Sequence, residues 1–164
     1  MRTTGNFLWF VLFGGFWMWL LWLAASLLAF ISIIGIPWGR SCWNLASLAA
    51  APFGNEAIDR QELTQKSDIG TSFLGSLGNI IWFIVVGFWL AGAHLVCGLA
   101  SCITVIGIPF GLQHFKLAGL SMMPIGKAIV SAELAKAARE ENARINLERV
   151  RSGTKIFDIK KYEE

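Results

Sequence analysis

Charge is what this chain most lacks. Only 15% of its 164 residues are charged, where soluble domains average about 25%. No Lys, Arg, Asp or Glu occurs from Thr3 through Gly39, and none from Ile69 through Phe115. Such gaps exclude a soluble globular domain, which needs polar surface along its whole length. Cysteine is scarce too. Cys42, Cys97 and Cys102 lie in apolar context without ligand spacing, so neither a disulfide framework nor a metal centre is indicated, and each reads as a small packing residue. Catalytic signatures are missing: there is no Gly-x-Ser-x-Gly, P-loop, His-Glu-x-x-His or Cys-x-x-Cys. The reading is of a non-enzyme without a cofactor. The acidic and basic residues of the C-terminal tail, seven and eight from Glu133 onward, are mixed rather than blocked, which argues against a nucleic-acid arm.

What fills the gaps is apolar. The chain is 55% hydrophobic, with a mean hydropathy of +0.57. About 20 apolar residues suffice for a helix to cross a bilayer. The first uncharged run has 37 residues, roughly 55 Å as a helix, too long for one straight crossing of about 30 Å. It is also too long for the apolar core of a cleaved signal peptide. The chain must turn within each run.

The turn is written in the sequence twice. Gly35-Ile36-Pro37-Trp38-Gly39 recurs 72 residues later as Gly107-Ile108-Pro109-Phe110-Gly111. Aligning residues 25–54 with 97–126 gives 12 identities in 30 positions, and Pro52-Phe53-Gly54 recurs as Pro124-Ile125-Gly126. Upstream, Asn6 and Trp9 match Asn79 and Trp82 with a shift of one residue. Shared apolar composition would not place Gly and Pro in register, so the chain is a duplication. Gly before Pro ends one helix and Pro opens the next. Each half reads as helix, break, helix: about 7–34 and 38–53, then about 79–106 and 110–127.

The predicted fold is therefore an all-α integral membrane protein of two tandem helical hairpins, with four membrane segments and a cytoplasmic C-terminal helix. The second helix of each hairpin is short enough either to cross barely or to be re-entrant. The units are 6–54, a polar cytoplasmic linker 55–78, 79–127, and a C-terminal helix and tail 128–164, with Ser131 as N-cap. Asn6 and Asn79 read as N-caps, and Trp9, Trp38, Trp43 and Trp82 as interfacial residues. Arg2, Lys127 and the basic residues of the tail put both termini on the cytoplasmic side by the positive-inside rule.

The sharpest polar feature follows the break. Arg40 and Asn44 share a helix face, and their repeat mates are Leu112 and Lys116. Gln113 and His114 add polar groups nearby. Cations near a helix N-terminus inside a membrane suit a pore or anion site. Equally, Arg40 and Lys116 could reach lipid headgroups and set the depth of a short helix. His94, alone in an apolar stretch, reads as a buried hydrogen-bonding residue rather than a proton relay.

The phrases Gly-Ile-Pro-Trp-Gly-Arg-Ser-Cys-Trp (35–43), Pro-Phe-Gly-Asn-Glu-Ala-Ile (52–58), Gly-Ile-Pro-Phe-Gly (107–111) and Ser-Ala-Glu-Leu-Ala-Lys-Ala-Ala-Arg-Glu (131–140) resemble the YccF-type inner-membrane domain family of bacteria. The resemblance covers roughly residues 6–147. It implies two domain copies in the inner membrane and no established activity. Two readings follow. One is a homo-oligomeric channel or transport component that favours a small anion. The other is a non-conducting structural or regulatory protein in contact with lipid.

Overall fold

The computed structural model describes residues 2–32 and 35–152. Helices α1 (Arg2–Leu12), α2 (Gly15–Ile31) and α3 (Ile36–Ala50) make the first repeat. Strand β1 (Asn55–Asp59) and a short α4 (Arg60–Thr64) follow. In the second repeat α5 (Phe73–Trp82), a π-helical turn (Phe83–Gly87) and α6 (Phe88–Ser101) form a continuous rod that precedes α7 (Ile108–Met122). Strand β2 (Lys127–Ser131) and α8 (Ala132–Arg151) complete the described chain. The chain is mostly helical, as expected. The last residues of the predicted tail, 153–164, and residues 33–34 of the predicted first long helix lie outside the described residues.

The rod Phe73–Ser101 is long and apolar enough to cross a bilayer. The first repeat differs. Helices α1 and α2, predicted as one, are bent by 76° at Gly14, whose φ of 81° only glycine adopts freely. The π turn stands at the equivalent place in the second repeat. Between Trp9 and Gly15 the first repeat has one residue more than the second has between Trp82 and Gly87. The one-residue shift seen in the sequence is thus the site where both long helices depart from regular geometry.

Each break motif works as predicted, with Pro in the first turn of α3 and α7. Helix α2 packs along α3, and α6 along α7. Close approach comes from small residues: a Cβ on Gly39 would strike the Phe30 ring at 2.9 Å, and one on Gly111 the Cys102 Sγ.

The sheet was not expected. β1 pairs antiparallel with β2, Asn55 opposite Ser131 and Asp59 opposite Lys127. At its centre Ala57 faces Ile129, its own repeat mate 72 residues on. Arg60 N–H donates to Gly126 O at 2.8 Å and Ala132 N–H to Gly54 O at 2.9 Å, again repeat mates exchanged. The two repeats are therefore related by an approximate two-fold axis through the middle of the ribbon. Segment 55–78, read as a linker, holds β1, α4 and the start of α5.

A charged cap covers this ribbon. Glu56 pairs with Arg139 at 2.7 Å and Asp59 with Lys127 at 2.9 Å. Arg2 pairs with Glu133 at one end of the ribbon. Arg60 grips Asp68 at the other, with Nε to Oδ2 at 2.8 Å and a second nitrogen to Oδ1 at 2.9 Å. Ser131 caps α8 as predicted, its Oγ accepting from Leu134 N–H at 3.3 Å.

Two expectations are corrected. Asn6 and Asn79 are not N-caps. Asn6 Nδ2 donates to Phe53 O at 3.0 Å while its Oδ1 accepts from Phe53 N–H at 2.9 Å. Asn79 does the same to Ile125, at 3.2 and 3.0 Å. Trp9 and Trp82 are not interfacial but buried, donating to Ala49 O at 2.7 Å and Ser121 O at 2.9 Å. In a bilayer no water satisfies a freed carbonyl or indole N–H, so such pairings decide where helices dock.

Candidate functional site

The buried polar cluster of the described residues sits on the two-fold axis. Trp22 and His94 are repeat mates, and both are fully buried. Trp22 Nε1 donates to His94 Nε2 at 3.1 Å. His94 Nδ1 faces His114 Nδ1 at 3.2 Å, and His114 Nε2 lies 2.7 Å from Phe13 O. The ends of this chain fix its protons. An indole N–H only donates, so His94 Nε2 must accept and its proton is on Nδ1. A carbonyl only accepts, so His114 Nε2 carries the proton and its Nδ1 receives the one from His94. Both rings are neutral, and every hydrogen bond is satisfied in one tautomeric arrangement.

The break at Gly14 explains why His114 is needed. Phe13 lies in the corner between α1 and α2, where the helical ladder is interrupted, and its carbonyl takes the imidazole N–H instead. Trp9 packs on the same ring, with centroids 4.3 Å apart. The chain ends in a donor that cannot accept and an acceptor that cannot donate. It is a latch joining α1, α2, α6 and α7.

The other predicted residues do not join it. Arg40 and Asn44 are exposed and share a shallow surface depression with Phe30 and Trp43. Arg40 has no charged partner among the described residues. Lys116 Nζ reaches the ribbon and donates to Asn55 O at 2.9 Å. Gln113 Oε1 is buried without a hydrogen-bond partner. Of the five residues proposed from the sequence, only His114 is in the buried cluster. Its partner His94 was read correctly as hydrogen-bonded but not as part of a pair. The repeat register held a signal, since Trp22 aligns with His94 and Cys42 with His114.

The break motifs Gly35-Pro37-Gly39 and Gly107-Pro109-Gly111 serve packing. Between α2 and the α5–α6 rod lies an open apolar groove of about 720 Å³, lined among others by Ala25, Ala29, Trp38, Trp82, Trp89 and Ala93. Among the described residues there is no group of three or more His, Cys, Asp or Glu placed to hold a metal ion.

This geometry is repeated because the domain is. A family model described as an inner membrane component domain, YccF, matches residues 4–55 and again 77–127. The chain belongs to the YccF family. It is similar to the inner membrane protein YccF of Escherichia coli strain K12, 44% identical over 149 residues that cover 90% of this chain and all of the relative. The Shigella flexneri protein of the same name matches to the same extent. No solved structure matches the chain. Each YccF copy contains one Asn clamp, one buried indole clamp and one Gly-Ile-Pro break, and the chain is a tandem pair in the inner membrane.

Proposed function

We propose that the protein is a non-conducting structural or regulatory component of the inner membrane, with its apolar helices in lipid and its charged cap in the cytoplasm. The observation that carries this reading is the filled axis. Trp22 and His94 close it, and Leu45 and Leu117, both buried, belong to the same core. Among the described residues, the carboxylates Glu56, Asp59, Asp68, Glu133 and Glu141 are engaged in ion pairs of the cap. Arg2, Lys127 and the basic residues of α8 favour the cytoplasm for that cap and for both termini. On this reading α8 presents Leu134, Leu147 and Val150, each about half exposed, to a partner in the cytoplasm.

A homo-oligomeric channel with an anion preference is the competing reading. Arg40 favours it, having no charged partner among the described residues and lying beside Asn44 in an exposed depression. A ring of copies would have to bring that surface to a shared axis. Chloride-sensitive dye in liposomes reconstituted with the full chain decides between the two. Flux equal to protein-free vesicles supports the structural reading. Flux above that level, abolished by Arg40→Ala, sinks it and establishes the channel.

A further inference from the structure

The short helices point the wrong way for two crossing hairpins. Both end at the ribbon, so crossing hairpins would make them parallel, each starting on the far face. Instead the start of α3 lies beside the end of α7. Trp38 Nε1 donates to Gly78 O at 3.0 Å, and the next residue, Asn79, clamps Ile125 at the end of the second repeat. The start of α7 lies beside the end of α3, Phe110 meeting Phe53 with centroids 5.4 Å apart. The two helices are antiparallel and run along the ribbon.

Depth can be read from α1. Asn6 holds the Phe53 turn, and Phe13 comes seven residues later, about 10 Å along a helix. Phe110 stacks on Phe13 with centroids 3.9 Å apart and planes 3° from parallel. The second Gly-Ile-Pro break is therefore only about 10 Å below the turn, against roughly 30 Å of hydrocarbon. The rod Phe73–Ser101 leans with it, because Gly98 packs on His114 and His114 on Trp9. Charge agrees independently. The connection after α6 carries no charge, and its Ile103 and Val105 stand 83% and 84% exposed, which suits hydrocarbon and not a far water interface.

We infer that neither repeat crosses the bilayer: both are re-entrant, and the protein is seated in the single phospholipid leaflet beneath its charged cap. This rests on the proposed reading that the cap lies in water and the uncharged helices in lipid. It also places Lys116, which had no comfortable site in a crossing hairpin, at the ribbon, and Arg40, two residues past Trp38, near headgroup level. The partner this surface fits is one leaflet, displaced laterally by a shallow wedge.

The test uses the full chain in sealed membranes, with Cys42, Cys97 and Cys102 replaced by Ala and one new cysteine added. Ser67→Cys marks the cap and Thr104→Cys the connection. A membrane-impermeant maleimide is applied from each face and again after solubilisation in detergent. Labelling of Ser67→Cys from one face, with Thr104→Cys labelled from neither but freely in detergent, supports the inference. Labelling of Thr104→Cys from the face opposite Ser67→Cys overturns it. Which face Ser67→Cys takes reports the cytoplasmic orientation alone, so that reading fails separately. Should the cysteine-free chain not fold, quenching of the native tryptophans by lipids brominated at graded chain depth reads the same depth. Quenching confined to one leaflet supports the inference, and quenching from both overturns it.

Discussion

Asn79 replaces a backbone partner for two groups at once, the N–H and C=O of Ile125, in a position only 9% exposed. Asn79→Leu leaves both unpaired. An unsatisfied buried group costs about 1–3 kcal/mol, so a loss on the order of 2–5 kcal/mol is expected, read as a lower unfolding temperature in detergent. Asn6→Leu removes the same pair from Phe53 in a half-buried site, and its loss should be smaller. Equal and negligible effects at both would refute the clamp. For His94 and His114 the expected result is a tautomer pattern. Nitrogen-15 spectra should show the proton on Nδ1 of His94 and on Nε2 of His114, and His114→Phe should leave the Phe13 carbonyl without its donor. The sequence placed Asn6, Asn79, Trp9 and Trp82 in repeat register but misassigned their work. A cap is a local motif and can be read locally, whereas the partner of Asn79 is 46 residues away. The histidine pair was hidden for the same reason, joining α6 to α7 across 20 residues.

Among the elements, the departures from regular helix and the ribbon carry the fold. Gly14 holds φ of 81° at the 76° corner, so Gly14→Ala should cost about 1–2 kcal/mol of left-handed strain. Gly92→Ala meets no atom within 4 Å and gains helix propensity, up to about 1 kcal/mol. Opposite signs in paired thermal melts are the expected outcome. At the cap, burial works against ionising Asp68, but the Arg60 ion pair outweighs it, joined by the Thr71 and Gly70 N–H groups, and holds its carboxyl below the usual value. A depressed folded value means this contribution is present above the unfolded carboxylate range and lost as pH falls through the folded one. The protection of the Gly70 and Thr71 amides against hydrogen exchange, taken relative to their intrinsic rate at each pH, should then fall in acid, and Asp68→Asn should remove that dependence. The breaks were legible because Gly and Pro have local mechanisms. The strands were not, because Asn55–Asp59 and Lys127–Ser131 are only five residues each and pair across 68 to 76 positions. The duplication did contain the answer in another form, since a strand lying on the two-fold axis pairs with its own copy.

For the whole molecule the decisive asymmetry is charge, gathered in and around the cap and absent from the connection between the helices of each repeat. The sequence showed the uncharged runs but not their direction, since hydropathy measures membership of the bilayer and not depth within it. A single lysine in the connection after α6 separates the two arrangements. If the connection ends inside the hydrocarbon, Ile103→Lys places an ammonium deep in one leaflet, at a cost approaching the bilayer-centre value of about 2.5–3.5 kcal/mol. If the hairpin crosses, the same lysine meets headgroups and water, and the cost falls to about 0–1 kcal/mol. The inserted fraction of newly made protein measures this directly. Each 1.4 kcal/mol is a factor of ten, so the re-entrant arrangement predicts a drop of roughly a hundredfold in the insertion equilibrium. Leu147→Lys on α8, half exposed in the cap, should leave insertion unchanged. Insertion of the Ile103→Lys chain at the level of the Leu147→Lys chain would mean that the connection reaches water, and the leaflet-bound wedge would have to be abandoned for a spanning pair.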